Sequence, residues 1–437
     1  MRLLFGTDGI RGKAHEYPLD PATMFALGEA LAHRLNRGRI LLGMDTRESG
    51  DEIARALTAG IAHGGGEAVL IGVIPTPGVA YLCRTSDAAA GISISASHNP
   101  FHDNGVKIFG HDGMKIPDAD EEQIEDELGA LRREGPAEAG APLDAPAAGL
   151  IEKYERFLVS GVKPNALRGK RIVLDTGHGA AYRIAPEVFR RAGADVIVIN
   201  DQPNGRNINE QSGALHPEGL AQKVVETNAD FGVAFDGDAD RAIFADDTGK
   251  IRDGDEIIYL WARSIGAKRV VTTVMSNFGF EKQLKSDGIE LLRANVGDKY
   301  VLEQMIASDA VIGGEQSGHI IDLAVHTTGD GIHTALVFGE ILASANERFS
   351  QMRTFEKMPQ VLINERVASK PPLDSLPKYQ AALARATAEL GAKGRILVRY
   401  SGTENLVRVM VEGEDDALIR RIGGELRDVL RDEIALA

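Results

Sequence analysis

The first 110 residues alternate between short apolar runs and segments of helical periodicity. Apolar runs at 39–45, 67–73 and 91–95 predict buried β-strands. Asp20 followed by Pro21 is typical of a helix start, because aspartate caps free N–H groups and proline fits the first turn. Strands that alternate with helices predict a parallel or mixed sheet with helical crossovers.

The same alternation returns twice, and a different order closes the chain. The second and third blocks carry predicted strands at 171–174, 195–199, 231–235 and 269–274. From residue 361, the order strand, helix, two paired strands and helix predicts a smaller α+β domain. Residues 134–149 hold three prolines and no periodicity, which indicates a linker. We therefore expect three related α/β domains with mixed sheets at 1–149, 150–250 and 251–365, and an α+β domain at 366–437.

A polar loop follows the strand predicted at 91–95. Ser97 and His98 lie in this loop, and residues 103–105 predict a second turn before Lys107. We expect His98 to be badly placed to deprotonate Ser97, because neighbours in an extended segment point to opposite sides. One interpretation is a turn serine that bonds its own backbone. The other is a serine that carries a phosphoryl group, which requires a metal ion and cations nearby.

Three carboxylates stand at alternate positions of a tight turn after the strand predicted at 231–235. Asp236, Asp238 and Asp240 repel one another, so a divalent cation is the natural neutraliser. An all-oxygen ligand set favours Mg²⁺ or Mn²⁺ over zinc. Two alternatives are a solvated acidic hairpin and an aspartyl-phosphate hydrolase, whose D-x-D-x-T pattern has threonine where Asp240 stands.

Two further loops carry groups that bind anions or sugar hydroxyls. A glycine, two hydroxyls and two guanidinium groups suit a phosphate clamp. The residues of this candidate clamp are Arg399, Ser401, Gly402, Thr403 and Arg408. Glu315, Ser317 and His319 offer a carboxylate, a hydroxyl and an imidazole for a sugar ring. An ordinary hairpin loop and a capping arrangement are the respective alternatives.

Composition limits the class of protein. The chain has 437 residues and a formal net charge of −15, which argues against nucleic acid or an anionic membrane as the main partner. Cys83 is the single cysteine, so we expect no disulfide within the chain and a reducing compartment. The longest apolar runs, such as 68–74, have the length of a strand, and the start of the chain lacks a secretory pattern. We expect a cytoplasmic enzyme.

Motifs spread along the chain are similar to those of the α-D-phosphohexomutase family. They are F-G-T-D-G-I-R-G from Phe5, S-A-S-H-N-P from Ser95, D-N-G-V-K from Asp103, F-D-G-D-A-D-R from Phe235, G-G-E-Q-S-G-H from Gly313, T-T-G-D-G from Thr327 and R-x-S-G-T-E from Arg399. This resemblance implies four domains around a central cleft and a homodimer. It also implies a mutase that moves a phosphoryl group between two positions of a hexose phosphate.

The resemblance assigns a role to each candidate residue. Ser97 is the phosphoserine by similarity, and its phosphate completes a site for one Mg²⁺ per subunit with Asp236, Asp238 and Asp240. The implied catalytic residues are Ser97, His98, Lys107, Arg11 and Arg241, with Lys107 a candidate general acid or base. The sugar ring is assigned to Glu315, Ser317 and His319, and the non-reacting phosphate to Arg399, Ser401, Gly402, Thr403 and Arg408.

The expected substrate is a hexosamine phosphate. Gln316 indicates an amino sugar, since relatives that act on mannose or glucose phosphates tend to carry methionine there. The implied reaction interconverts glucosamine 6-phosphate and glucosamine 1-phosphate, with a hexose 1,6-bisphosphate as intermediate and activator. A broader phosphomannomutase/phosphoglucomutase and a sugar-phosphate sensor of the same fold are alternatives. Departures from the family pattern at Lys299, Asp322, Tyr400 and Asn405 leave the serine and the acidic triad intact.

Overall fold

The computed structural model describes residues 4–6, 8–131, 143–401 and 405–434. The chain divides into two compact units, a larger one of Met1–Thr273 with Leu292–Arg353 and a smaller one of Val274–Leu291 with Thr354–Ala437. Most of the linker predicted at 134–149, and the clamp candidates Gly402 and Thr403, lie outside the described residues.

The first sheet is mixed and six-stranded, in the order β1-β2-β6-β5-β3-β4. Its strands are β1 (Phe5–Gly6), β2 (Gly9–Lys13), β3 (Arg39–Met44), β4 (Glu67–Val73), β5 (Ala90–Ile94) and β6 (Asp103–Gly110). The helices are α1 (Pro21–Arg34), α2 (Gly50–His63), α3 (Thr76–Arg84) and α4 (Asp118–Leu131). Parallel pairing of β3 with β4 and β5 brings the ends of β3 and β5 together, which places residues 45 and 97 at the same edge.

The second sheet has five strands in the order β11-β10-β9-β7-β8. Its elements are α5 (Leu150–Ser160), β7 (Arg171–Asp175), α6 (Ala181–Arg191), β8 (Asp195–Ile199), α7 (Glu218–Thr227), β9 (Phe231–Phe235), β10 (Ala242–Asp246) and β11 (Ile251–Arg252). β9 and β10 form an antiparallel hairpin in which every strand residue is buried. The acidic turn therefore rests on a rigid, fully packed support.

The third sheet has four strands in the order β13-β12-β14-β15. The elements of this part of the chain are α8 (Gly254–Ser264), β12 (Arg269–Thr273), α9 (Phe278–Ser286), β13 (Glu290–Ala294), α10 (Asp298–Ser308), β14 (Ile312–Gly314), β15 (Ile320–Asp322) and α11 (Gly331–Ala345). Helix α9 belongs to the smaller unit. None of the helices in the described ranges has the length and hydropathy needed to span a bilayer.

The tail forms a three-stranded antiparallel sheet with two helices. Its elements are β16 (Gln360–Arg366), α12 (Pro377–Leu390), β17 (Gly394–Tyr400), β18 (Leu406–Gly413) and α13 (Asp416–Ile434). The sheet order β16-β18-β17 and the two helices confirm the predicted β-α-β-β-α layer. Three mixed α/β sheets and this α+β tail confirm the fold class expected from the sequence.

One predicted turn is wrong. Residues 103–105 begin strand β6. Gly105 lies in β6 between two closely packed neighbouring strands. A Cβ at this position would come within 2.6 Å of the Ser95 carbonyl oxygen and 2.9 Å of the Ile10 carbonyl oxygen. Glycine in such a strand allows close backbone approach rather than a change of direction.

Candidate active site

Ser97 lies just beyond the end of β5 and is fully buried. Its backbone adopts the left-handed conformation with φ 53°, which is uncommon for a residue with a side chain. The hydroxyl Oγ donates to Asp236 Oδ2 at 2.6 Å, across 139 residues of sequence. The structure therefore brings the predicted nucleophile directly against the predicted metal site.

His98 contradicts the geometry expected from the sequence. Its Nδ1 lies 3.2 Å from Ser97 Oγ, because the left-handed turn at Ser97 puts both side chains on one side. Arg241 Nη1 lies 3.3 Å from the same nitrogen. Burial, helped by the charges of Arg241 and Arg11, lowers the pKa of His98 to about 4. The imidazole is therefore neutral at physiological pH and can accept a proton at Nδ1.

The three aspartates occupy the turn between β9 and β10, with Ala239 in the left-handed conformation at its tip. Asp236, Asp238 and Asp240 are at most 5% exposed, which rules out a solvated acidic hairpin. Each offers a carboxylate oxygen within 4.8 Å of the others. Oδ1 of Asp238 and Oδ1 of Asp240 are buried without a hydrogen-bond partner among the described residues. Orphaned buried carboxylate oxygens in an all-oxygen set are what a divalent cation such as Mg²⁺ requires.

The pKa values of these carboxylates diverge. Burial, together with the charges of Asp240 and Asp238, raises the pKa of Asp236 well above its usual range. Burial acts in the same direction on Asp240, but Lys107 and His319 outweigh it and hold the pKa of Asp240 well below its usual range. Such opposed shifts arise when clustered carboxylates cannot all be charged without more positive charge.

Lys107 supplies part of that charge from strand β6. Its Nζ lies 2.9 Å from Asp238 Oδ2, 3.0 Å from Asp240 Oδ2 and 3.3 Å from Asp8 Oδ2. Burial would lower the pKa of this lysine, but the three carboxylates raise it well above its usual range. The ammonium group therefore stays charged against the acidic turn.

Sequence reasoning missed two members of this cluster. Asp8 accepts hydrogen bonds from Arg11 and Lys115, and these cations with Lys107 outweigh burial and lower its pKa. Thr76 lies at the start of α3, and its Oγ1 donates a hydrogen bond of 2.6 Å to Asp238 Oδ2. Asp8 stands inside the F-G-T-D-G-I-R-G motif, which was the available signal. No local pattern marks Thr76.

A polar cavity of about 200 Å³ in the larger unit adjoins these groups. It brings together the predicted residues Arg11, His98, Asp240, Arg241, Glu315 and His319. The remaining lining residues are Asp8, Val296, Gly297 and Asp298. Basic and acidic side chains thus face one cavity, which suits a ligand that has both phosphate and hydroxyl groups.

His319 is held by the T-T-G-D-G segment. The Gly329 N–H donates to His319 Nε2 at 3.0 Å, and His319 Nδ1 lies 3.7 Å from Asp240 Oδ1. A side chain at residue 329 would press on the imidazole, with a Cβ only 2.6 Å from Nε2. Burial opposes protonation of His319, but Asp240 and Asp298 outweigh it and raise its pKa.

Ser317 and Gln316, which share a loop with His319, have different surroundings. Ser317 is exposed, with Oγ 3.4 Å from Glu315 Oε2. Gln316, the predicted indicator of an amino sugar, donates from Nε2 to Asp253 Oδ2 at 3.1 Å. Gln316 therefore braces the start of α8, and its amide is absent from the lining of the cavity.

The candidate clamp lies in the smaller unit. Arg399 on β17 stands directly opposite Arg408 on β18. Burial and the neighbouring charge of Arg408 lower the pKa of Arg399. The Ser401 carbonyl accepts a hydrogen bond from Lys370 Nζ at 2.7 Å. Two guanidinium groups side by side form a site that favours an anion.

Comparisons with known proteins agree with this arrangement. Four family models match, namely the phosphoglucomutase/phosphomannomutase alpha/beta/alpha domain I at residues 2–134, domain II at 152–249, domain III at 253–358 and the C-terminal domain at 362–429. Relatives at 41 to 48% identity over nearly the whole chain are phosphoglucosamine mutases. The one from Solibacter usitatus is 47% identical over 444 residues, with 99% of both chains covered.

Solved structures show the same fold. A phosphoglucomutase/phosphomannomutase family protein from Burkholderia thailandensis has a TM-score of 0.80 at 22% identity, with 98% of this chain and 97% of that chain covered. The Aspergillus fumigatus N-acetylphosphoglucosamine mutase, solved with GlcNAc-6P and magnesium, has a TM-score of 0.65 at 18% identity, with 99% and 96% covered. On the family models and the full-length relatives together, the chain belongs to the phosphoglucomutase/phosphomannomutase family.

Proposed function

We propose that this chain is a phosphoglucosamine mutase. It interconverts glucosamine 6-phosphate and glucosamine 1-phosphate through phospho-Ser97 and glucosamine 1,6-bisphosphate, and so supplies UDP-N-acetylglucosamine synthesis. The observation that carries the proposal is the buried Ser97 Oγ, 2.6 Å from Asp236 Oδ2 in the acidic turn. Full-length relatives of this name support the choice of reaction.

The proposed chemistry is two phosphoryl transfers in opposite directions. In the first, the bond between Ser97 Oγ and phosphorus breaks as a sugar hydroxyl bonds to phosphorus, which gives the bisphosphate. In the second, Ser97 Oγ takes the phosphoryl group from the other end of the sugar. The Ser97 proton leaves when Oγ attacks and returns when Oγ is released, and His98 Nδ1 and Asp236 Oδ2 both lie within reach to hold it.

Cations stabilise the transferring group in this proposal. Arg11, Lys107 and Arg241 gather around the acidic turn and the cavity, where they neutralise the oxygens of the phosphoryl group. Lys107 is the proposed acid or base for the sugar oxygen. Glu315 and His319 face the same cavity and orient the ring hydroxyls, with Ser317 beside them.

The metal proposed for the acidic turn is one Mg²⁺ per chain. Asp236, Asp238 and Asp240 would hold it together with the Ser97 phosphate, and two of these carboxylates have a buried oxygen without a hydrogen-bond partner among the described residues. When bound, the ion supplies positive charge to the phosphoryl oxygens. The Aspergillus fumigatus relative was solved with magnesium, which supports this choice of metal.

The smaller unit is proposed to hold the phosphate that is not transferred. Arg399 and Arg408 provide paired guanidinium groups, and Ser401, Gly402 and Thr403 provide the loop between their strands. Because the bisphosphate carries the same group at both ends, one clamp serves both half-reactions. A hexose 1,6-bisphosphate is accordingly the proposed activator.

Domain limits, assembly and location remain predictions. We propose domains at 1–149, 150–250, 251–365 and 366–437, a homodimer, and a cytoplasmic location. Light scattering after size-exclusion chromatography tests the homodimer, since a mass near that of one chain contradicts it.

A phosphomannomutase/phosphoglucomutase is the second candidate. One observation favours it: the Gln316 amide bonds Asp253 rather than facing the cavity, so it does not itself read an amino group. Specificity constants for glucosamine, glucose and mannose 6-phosphates, measured with Mg²⁺ and trace bisphosphate, separate the two. Preference for glucosamine 6-phosphate is expected, and preference for either other sugar contradicts the first proposal.

Mass analysis tests the covalent step. Intact mass is measured before and after addition of glucose 1,6-bisphosphate, and peptide mapping locates the modified residue. We expect one added phosphoryl group on Ser97. A phosphoryl group on another residue, or none in an active preparation, contradicts the mechanism.

A further inference from the structure

A closed circuit of hydrogen bonds surrounds the backbone of Ser97. The Ser97 N–H donates to Ser95 Oγ at 2.9 Å, and Ser95 Oγ donates to Asp45 Oδ2 at 2.5 Å. Asp45 also accepts from the Arg47 N–H at 2.9 Å and from Arg47 Nη1. Arg47 Nη2 closes the circuit by donating to the Ser97 carbonyl oxygen at 3.2 Å. The Ser97 N–H is therefore held by Ser95 and the Ser97 carbonyl by Arg47, and Asp45, just after β3, links these two side chains.

The circuit matters because of the backbone conformation of Ser97. A serine favours φ below zero, yet Ser97 has φ 53°. Such a conformation persists only where its surroundings determine it strongly. Asn209 Nδ2 adds a second donor to the Ser97 carbonyl at 3.0 Å. The Oγ direction toward Asp236 thus depends on contacts to the backbone as well as on the side chain itself.

The charges in the circuit have no evident role in packing. Asp45 and Arg47 form an ion pair whose side chains are 1% and 0% exposed. Burying two charges costs more than burying apolar residues of similar size, so this pair is weak evidence for stability. Instead, Asp45 accepts a hydrogen bond from Ser95, and Arg47 donates one to the Ser97 carbonyl. Within the described ranges, the structure shows no hydrogen bond between the acidic triad and either Asp45 or Arg47.

We propose that Asp45, Arg47 and Ser95 are positioning residues for phosphoryl transfer. Ser95 and Arg47 hydrogen-bond the Ser97 backbone, Asp45 links these two residues, and together they direct Oγ toward the acidic turn. This inference rests on the proposed function, since it assumes that Ser97 receives the phosphoryl group. It extends that function by giving a role to residues 45–47, which follow β3 and whose charged side chains take no direct part in the reaction.

Ser95→Ala tests the proposal, because it removes one hydroxyl that both accepts from Ser97 and donates to Asp45. The rate of Ser97 phosphorylation by glucose 1,6-bisphosphate is followed by intact mass, alongside kcat and KM for glucosamine 6-phosphate. We expect phosphorylation and kcat to fall by about 10- to 100-fold, as for a misplaced nucleophile, with KM changed by less than about twofold. Arg47→Lys, which keeps the charge but loses the guanidinium fork, is expected to slow phosphorylation in the same way.

Ser49→Ala is the matched control. Ser49 is also buried and accepts a hydrogen bond from Asn104 at 2.8 Å, but it makes no hydrogen bond to Ser97. Folded Ser95→Ala and Arg47→Lys proteins that are phosphorylated at the wild-type rate would overturn the inference. So would a lower melting temperature with unchanged kcat, which indicates a purely structural role. Absence of phosphorylation in the wild-type protein is a different result, because it defeats the proposed function itself.

Discussion

Removal of the Arg408 guanidinium gives a direct test of the candidate clamp. Val407 and Val409 pack into the core beneath the tail helices, so Arg408 between them lies on the opposite face of the sheet. Arg399 is its direct cross-strand partner, which places two like charges side by side. Like charges directly opposite are unfavourable, and a phosphate between them would relieve this repulsion.

The size of the effect follows from two contributions that add. A hydrogen bond to a charged group contributes about 1.5 to 3 kcal/mol, which Arg408→Ala removes from the complex. Because bound phosphate relieves the repulsion between the two arginines, the variant also loses that gain, which is up to about 1 kcal/mol on the scale of cross-strand pairs. The total loss is about 1.5 to 4 kcal/mol, and since 1.4 kcal/mol is tenfold, KM should rise by about 10- to 700-fold.

Initial rates over a range of glucosamine 6-phosphate concentrations measure this change. Arg385→Ala is the control, because Arg385 lies exposed on helix α12 and its loss removes the same charge away from the sheet face. We expect Arg408→Ala to raise KM while kcat falls much less, and Arg385→Ala to match the wild type. An unchanged KM in Arg408→Ala, or an equal rise in both variants, would refute the assignment of this clamp.

Three further predictions concern the nucleophile, the first core and the single cysteine. Ser97→Ala should fold as the wild type does but lose mutase turnover, and activity near the wild-type level in a coupled assay contradicts the assignment. Gly60→Ala should destabilise the protein by about 1 to 3 kcal/mol in thermal or urea unfolding, because its Cβ would overlap the Phe25 carbonyl oxygen of the adjacent helix. Gly129→Ala, with no atom within 4 Å of the added Cβ, is the control and should be neutral or slightly stabilising. Burial raises the pKa of Cys83 to about 12, so its thiol should resist a disulfide reagent between pH 7 and 9 until urea is added, and rapid labelling of the folded protein would contradict this.

Much of the site was readable from the sequence because its members stand in short, chemically dense segments. The carboxylates of Asp236, Asp238 and Asp240 occupy one turn, and their mutual repulsion points to a cation without knowledge of the fold. Glu315 and His319 likewise share one loop. The order of strands and helices also predicted the α/β blocks and the α+β tail, since periodicity depends only on local geometry.

Other features depend on contacts between distant segments. Asp8, in a turn just before β2, and Thr76, at the start of α3, join the acidic cluster from distant parts of the chain, and no local pattern distinguishes Thr76. The expected separation of His98 from Ser97 was wrong, because it assumed extended backbone where tertiary contacts hold Ser97 at φ 53°. Residues 103–105 have turn chemistry but form a strand, since packing between β2 and β5 outweighs local preference.

The sequence by itself determined which chemistry this protein can perform: a serine, an oxygen-rich cation site and scattered basic groups, each with its local segment. Only the tertiary structure decided that Ser97 Oγ meets Asp236, that His98 turns toward the same oxygen, and that Arg47, paired with Asp45, holds the Ser97 backbone. The physical reason is that hydrogen-bond partners 50 to 139 residues apart are selected by strand order and burial, which no local pattern of residues specifies.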